Sequence, residues 1–389
     1  MARLNTYMGH FFYLLVILAL SISLKQCFAL PEKTTSALFI FGDSTVDPGN
    51  NNYINTTVDM RADWKPYGQN GFFKAPTGRF SDGRVIVDFI AEYAKLPIIP
   101  PFYQSSADFT NGVNFASGGA GVLPHSNQGL VVDLQTQLKN FEEVQKSLTE
   151  KLGEVEAKEL LSEAVYFISV GSNDYLAGYL GDPKMQEYYV PEVYVGMVIG
   201  NLTNAIQVLY EKGARKFGFL SLSPLGCLPV MRALNPKASE GGCFEAASGL
   251  ALAHNNALNA VLTSLEQLLK GFKYCNSEFY AWLDDRISNP SNYGFKEGVT
   301  ACCGTGPYGG VYSCGGKRKP TEYQLCDNVD DYVWWDSFHP TDRIHEQIAK
   351  TLWKNGPSVG PYNLEDLFFN KEKLTIADTV DASDGERFQ

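Results

Sequence analysis

"ALFIFGDSTVDPGNNN" (residues 37–52) passes without a break from five apolar residues into a crowd of small polar ones. The first five have the make-up of a strand buried on both faces, where side chains need not alternate. The polar residues after them set Ser44 between Gly42 and Asp43 on one side and Thr45 and Asp47 on the other. That is turn and helix-cap chemistry, so locally Ser44 fits a plain turn as well as a nucleophile at the mouth of a sheet. The deciding partners must come from elsewhere in the chain.

Working outward, similar short runs recur as "GVNFAS" (112–117), "AVYFISV" (164–170), "KFGFLSL" (216–222) and "FYAWLD" (279–284). Each reads as a strand. Helical periodicity fills the intervals at 84–96, 134–162, 192–212 and 246–270, and "DRIHEQIAKTLWK" (342–354) adds a closing amphipathic helix. This alternation predicts an α/β fold, a doubly wound and mostly parallel sheet between helix layers. Two stretches break it, 42–83 and 285–338, the second carrying four cysteines. Loops this long in a compact domain are functional or tied down covalently. No linker rich in Pro, Gly or Ser divides the chain, and no internal repeat is visible.

The ends read differently. Arg3, the 14-residue apolar run "FFYLLVILALSISL" (11–24) and the small residues of "CFA" (27–29) predict a secretory signal peptide over residues 1–29, too short for a membrane span. No second long apolar run comes after it, so no transmembrane segment is expected after cleavage. One domain then covers 30–367, and 368–389 is a polar tail. The expected location is secreted, extracellular or cell wall, or another compartment reached through the secretory pathway. Sequons at Asn55 and Asn201 would be glycosylated there.

The formal net charge is −11, and more negative once Arg3 and Lys25 leave with the signal. Without a basic cluster, nucleic acid and anionic membrane surfaces are poor partners. Seven cysteines lie beyond the signal: Cys227, Cys243, Cys275, Cys302, Cys303, Cys314 and Cys326. No CxxC pair occurs and His is scarce, which argues against zinc. An oxidising compartment implies disulfides, whose pairing the spacing leaves open; the odd count leaves at least one thiol free or bonded to another chain.

In a parallel sheet, ligands bind at the carboxyl ends of the strands. Ser44 falls there, as do "ASGGAG" (116–121) and "GSNDY" (171–175), and "WWDSFHPT" (334–341) sits just before the last helix. A serine hydroxyl needs a base, and the base needs an orienting carboxylate. Asp336 and His339, three residues apart, can meet across one tight turn. Of the other histidines, His254 and His345 lie in helical patterns and His125 in a loop. Acyl transfer also needs donors for the developing oxyanion. The candidates are the Asn173 side chain, the Ser44 N–H and the N–H of Gly118, with Gly119 as second choice. Ser44 itself lies in no G-x-S-x-G, the fifth position being Val46, and no phosphate-cradling Gly pattern follows one of the expected strands.

The ordered set "FIFGDSTVDPGNNN", "PYG" through "PTGRFSDGR" (66–84), "GVNFASGGAG", "FISVGSNDY", "LSPLGCLP" (222–229) and "DSFHPT" resembles the plant-type GDSL esterase/lipase family of the SGNH hydrolases. Position 45 is Thr where the family name has Leu. The resemblance implies a three-layer α/β/α flavodoxin-like fold with a mostly parallel central sheet. It implies Ser44 as nucleophile, His339 as base, Asp336 as its acid, and Gly118 with Asn173 as oxyanion donors. It further implies an acyl-enzyme route needing no cofactor or metal, acting on a small-molecule or lipid ester. An acyltransferase with an alcohol acceptor uses the same intermediate, and a non-catalytic secreted binding protein would keep only the fold. Oligomeric state is not legible.

Overall fold

Leu38–Gly42 form β1, buried at every position. It pairs in parallel with β2 (Gly112–Asn114) on one side and β3 (Val165–Ser169) on the other. Beyond β3 come β4 (Lys216–Leu220) and β5 (Lys273–Ser277), also parallel, and the antiparallel edge strand β6 (Val359–Pro361). The order β2-β1-β3-β4-β5-β6 makes a six-stranded sheet, parallel in all but its last strand. The structure, a computed structural model, describes residues 37–235, 242–354 and 359–369, which belong to one compact unit. The expected signal peptide lies outside the described residues, and so does the tail beyond Phe369. The expected domain edge at 367 is passed by a helix over Leu364–Phe369 that buries Leu364, Leu367 and Phe368.

The chain leaves β1 for β2 through α1 (Ile86–Tyr93), then doubles back past β1 to β3 through α2 (Leu134–Leu152) and α3 (Glu154–Glu163). It continues in that second direction through α4 (Pro191–Glu211) and α5 (Glu245–Leu268). Right-handed crossovers running in opposite directions put their helices on opposite faces. Hence α1 covers one face and α2, α4 and α5 the other. After α6 (Phe279–Ser288), α7 (Asp342–Trp353) returns to pack on α1, while α4 packs on α2 and α5. The strand order reverses at β1, so the crevice beyond its carboxyl end is the place for a ligand.

Burial on both faces explains the unbroken apolar run of β1. Phe39 and Phe41 share one face and meet Phe141 of α2 edge-on at 5.3 and 5.9 Å, with Phe115 stacked on Phe41 at 4.9 Å. Truncating such a ring to Ala costs about 3–5 kcal/mol. The long helical pattern at 134–162 is two helices. Gly153 separates them at φ +91°, a conformation that ends α2.

One expected strand is wrong. "FYAWLD" forms the first turns of α6, and Phe279, Trp282, Leu283 and Ile287 are its buried residues. That is helical spacing, mistaken for a strand because the window was short and aromatic. The fifth strand is instead "KYCNS" (273–277), whose polar residues hid it. Their partners are distant in the chain: Asn276 Nδ2 donates to Asn259 Oδ1 at 2.6 Å, and the Ser277 carbonyl accepts from Ser221 Oγ at 2.5 Å.

The two long insertions are ordered. Residues 42–83 carry short 3₁₀ turns at Asn50–Tyr53 and Val58–Met60. The 285–338 segment holds two small sheets, Glu297–Ala301 with Tyr332–Trp334 and Cys303–Gly304 with Gln324–Leu325. Three disulfides are formed, Cys227–Cys243, Cys302–Cys326 and Cys303–Cys314. Cys275 of β5 is a buried free thiol whose ionisation burial opposes. Asn55 is exposed, whereas Asn201 is half-buried on α4 with its amide donating to the Met197 carbonyl at 2.9 Å.

Candidate active site

The turn after β1 is built by backbone constraint. A Cβ on Gly42 would stand 2.2 Å from the Ser169 carbonyl oxygen, so only glycine lets β1 end this close to β3. Buried Gln137 of α2 holds the same residue from the side, accepting from the Gly42 N–H and donating to its carbonyl, both at 2.9 Å. Asp43 N–H donates to the Ser169 carbonyl, and its carboxylate accepts from the Thr45 N–H at 3.0 Å. Burial pushes the Asp43 carboxyl up to about 6, against the pull of Thr45 and the charge of His339. Ser44 is thereby presented at the sheet's carboxyl edge.

The polar crowd at 47–52 is a set of pins. Asp47 Oδ1 accepts from the N–H groups of Gly49 and Asn50, each at 2.7 Å, and Oδ2 from Gly118 N–H at 2.8 Å. Asn50 Nδ2 donates to the carbonyls of Asn114 and Ala116, and Asn51 Nδ2 to those of Met60 and Gly118. Together they fasten the loop after β2 beside Ser44. Asp174 performs the same task from beyond β3, accepting from the N–H groups of Val122 and Leu123 and from Ser126 Oγ at 2.8–2.9 Å. Burial pushes its carboxyl up to about 6 in spite of those bonds. Asp47, Asn50, Asn51, Gln137 and Asp174 were not singled out from the sequence, although the density of Asp and Asn at 47–52 was the available signal.

From the far end of the chain, "DSFHPT" arrives on the other side of Ser44. Asp336 Oδ1 lies 2.7 Å from His339 Nδ1 and also accepts the backbone N–H groups of Phe338 and His339 at 2.9 Å. Burial raises the Asp336 carboxyl, but the charge of His339 and the donated bonds outweigh it and hold it below the usual range. An ionised carboxylate only accepts, so Nδ1 carries the proton and Nε2 is left as acceptor. Nε2 stands 2.9 Å from Ser44 Oγ. Phe80 lies against the imidazole with ring centroids 4.9 Å apart.

The other histidines are engaged elsewhere. His254 is buried and bonded to Tyr175 OH at 2.9 Å, and His345 Nδ1 accepts from the Ile86 N–H at 3.2 Å. Burial lowers both to about 3, and the charge of His339 contributes at His345. His125 pairs with Tyr194 OH at 2.8 Å.

A cleft of about 370 Å³ opens over Ser44 and His339, within the size range of small-ligand sites. Its wall is mostly apolar, with Leu225, Leu228, Met231, Phe279, Leu283 and Trp334 prominent. Among the described residues its ionisable lining is Asp43, Asp59, Tyr312 and His339, with no Lys or Arg. Asn173 and Gly119 face the same space. Asn173 Nδ2 donates to the Ala120 carbonyl at 3.0 Å and reaches Asp43 Oδ2 only at 3.5 Å. Gly118 N–H, the expected first-choice peptide donor, is spent on Asp47. Gly119, at φ +88°, and Ser44 have N–H groups with no hydrogen bond among the described residues.

Residues 38–352 match the family described as GDSL-like lipase/acylhydrolase. The chain belongs to that family. Among curated relatives, GDSL esterase/lipase 5 of Arabidopsis thaliana is 48% identical over 344 residues, 87% of this chain and 88% of the relative. A GDSL lipase of Tanacetum cinerariifolium is 47% identical over 351 residues, 89% and 92% of the two chains. GDSL esterase/lipase 1 of Arabidopsis thaliana is 46% identical, covering 86% and 90%. The protein is a GDSL-type carboxylic ester hydrolase. As a GDSL family member it departs from the name at Thr45, which lines the cleft and donates its N–H to the Asp43 carboxylate.

Proposed function

We propose that this hydrolase is secreted and cleaves esters of apolar acids through an acyl-enzyme on Ser44. His339 Nε2 takes the serine proton as Oγ attacks the ester carbonyl, then returns it to the leaving alcohol. Asp336 keeps the imidazole in the Nδ1–H tautomer and stabilises the imidazolium. Water, activated by the same His339, releases the acid. The observation that carries this is the unbroken chain Ser44 Oγ, His339 Nε2 and Nδ1, Asp336 Oδ1, with links of 2.9 and 2.7 Å.

The oxyanion donors in this reading are the N–H groups of Ser44 and Gly119 and the second Asn173 Nδ2 hydrogen. Gly119 takes the role first given to Gly118, because Asp47 already holds the Gly118 N–H. The apolar wall, with no cationic lining residue among the described ones, favours a neutral ester over one bearing a phosphate or free carboxylate near the scissile bond. Secretion is supported by the apolar leader in the sequence and by the three disulfides.

A panel of p-nitrophenyl esters from acetate to palmitate, run beside Ser44→Ala, tests the assignment. The expected result is turnover by wild type that rises from acetate to longer chains and is abolished in Ser44→Ala. Wild-type rates in Ser44→Ala overturn it.

A further inference from the structure

Behind Asp336 stand two buried side chains that the proton transfers above do not use. Asp336 Oδ2, the oxygen facing away from His339, accepts the Tyr67 O–H at 2.7 Å. The Tyr67 oxygen in turn accepts from Arg318 Nη1 at 3.1 Å. A guanidinium can only donate, so the single Tyr67 proton goes to Asp336. Tyr67, Arg318 and Asp336 are each no more than 1% exposed. The line Arg318, Tyr67, Asp336, His339, Ser44 thus joins residues from both long insertions to the sheet edge.

The other contacts of Arg318 are with carbonyls and aromatic rings rather than with a buried anion. It donates to the Arg61 carbonyl at 2.5 Å and lies 3.7 Å over the Tyr312 ring. Among the described residues the only carboxylate within 4.0 Å of it is exposed Asp59, at 4.0 Å, and Asp336 is reached through Tyr67. A buried cation so weakly paired is costly unless a buried anion shares its field. Asp336 has the complementary need, since an ionised carboxylate out of water requires donors on both oxygens.

We propose that Tyr67 and Arg318 are positioning residues for the ester cleavage, fixing the plane of the Asp336 carboxylate and keeping it ionised against His339. The proposal rests on the triad assigned above. Tyr67 gives its proton to Oδ2, so Oδ1 is left for Nδ1 and the two backbone N–H groups. Burial and the Asp336 charge hold the phenol well above its ordinary range, so it stays a donor. Burial works against the Arg318 cation, but Tyr312, Tyr67 and Asp336 together outweigh it. The other groups facing this line are Tyr312 beside Arg318, Asp59 beyond it, and Asp43 and His345 toward His339.

The test is kcat and kcat/KM against pH for wild type, Tyr67→Phe, Arg318→Met, Arg318→Lys and Ser44→Ala, on a p-nitrophenyl ester, with active sites titrated by a fluorophosphonate. Without its donor or its cation, Asp336 becomes a stronger partner for imidazolium. Tyr67→Phe and Arg318→Met are therefore expected to move the acid limb of kcat/KM upward by about half a pH unit. Both should lose about tenfold in kcat, with KM little changed. Arg318→Lys should bring the limb back toward wild type. Tyr67→Phe removes one oxygen and keeps the packing, so it carries the test if Arg318→Met does not fold. A limb that stays put in folded Tyr67→Phe, with or without a loss in kcat, overturns the positioning role. An active Ser44→Ala overturns the triad instead, so the two failures are told apart.

Discussion

Asn173→Ala isolates the oxyanion contribution, because the side chain touches neither His339 nor Asp336. One Nδ2 hydrogen is held by the Ala120 carbonyl at 3.0 Å; the other has only the long 3.5 Å contact to Asp43. That second hydrogen is free to turn toward an oxygen forming at the carbon that Ser44 is proposed to attack. Removing one such donor costs about 3–4 kcal/mol of barrier, a hundred- to thousandfold in kcat. KM should change little, because the bond strengthens only as charge develops. The Ala120 carbonyl also loses its partner, which costs about 1 kcal/mol of stability and a small drop in Tm. Stopped and continuous assays on p-nitrophenyl butyrate, normalised to sites labelled by fluorophosphonate, give kcat and KM separately. A folded Asn173→Ala protein with kcat within threefold of wild type would refute the placement of Asn173 in the hole, whatever its KM.

The buried carboxylates and the sequons lead to two more outcomes. Burial, with the charges of Asp342 and Asp330 adding to it, pushes Asp82 up to about 7 despite the bond from the Asp342 N–H. The folded state then keeps a proton that the unfolded chain loses near pH 4, so this residue's contribution falls as pH rises from about 4 to about 7, by up to ~4 kcal/mol. Asp82→Asn keeps the acceptor without the charge, and its Tm advantage over wild type should grow across that window; parallel curves would refute the assignment. In a secretory host, Asn55→Gln should remove one glycan's mass on a gel, and Asn201→Gln should remove none, since Asn201 is half-buried with its amide bonded along the helix. A shift only in Asn201→Gln would contradict this.

β1 and β3, which flank Ser44, were legible because both faces are covered and their residues are almost all apolar. β5 was not, because Asn276 and Ser277 answer to partners on α5 and after β4 that no local window contains. The aromatic stretch beside it drew the strand assignment that belonged to "KYCNS". In the site, Ser44 with the Asp336 and His339 pair could be read from residue type and spacing. Which glycine N–H remains unbonded could not, since Gly118 is claimed by an aspartate 71 residues upstream. Tyr67 stood within a recognised stretch with no role attached. Its meaning appears only when the fold brings it to a carboxylate 269 residues away and Arg318 folds in behind.

The central claim is that Ser44 is the residue acylated during turnover. Incubation with a fluorophosphonate, proteolysis and mass spectrometry locate the adduct directly. A single adduct on the peptide containing Ser44, absent from Ser44→Ala and slowed severely in His339→Ala, is the predicted result. An adduct on any other serine, or equal labelling of Ser44→Ala, would contradict the account.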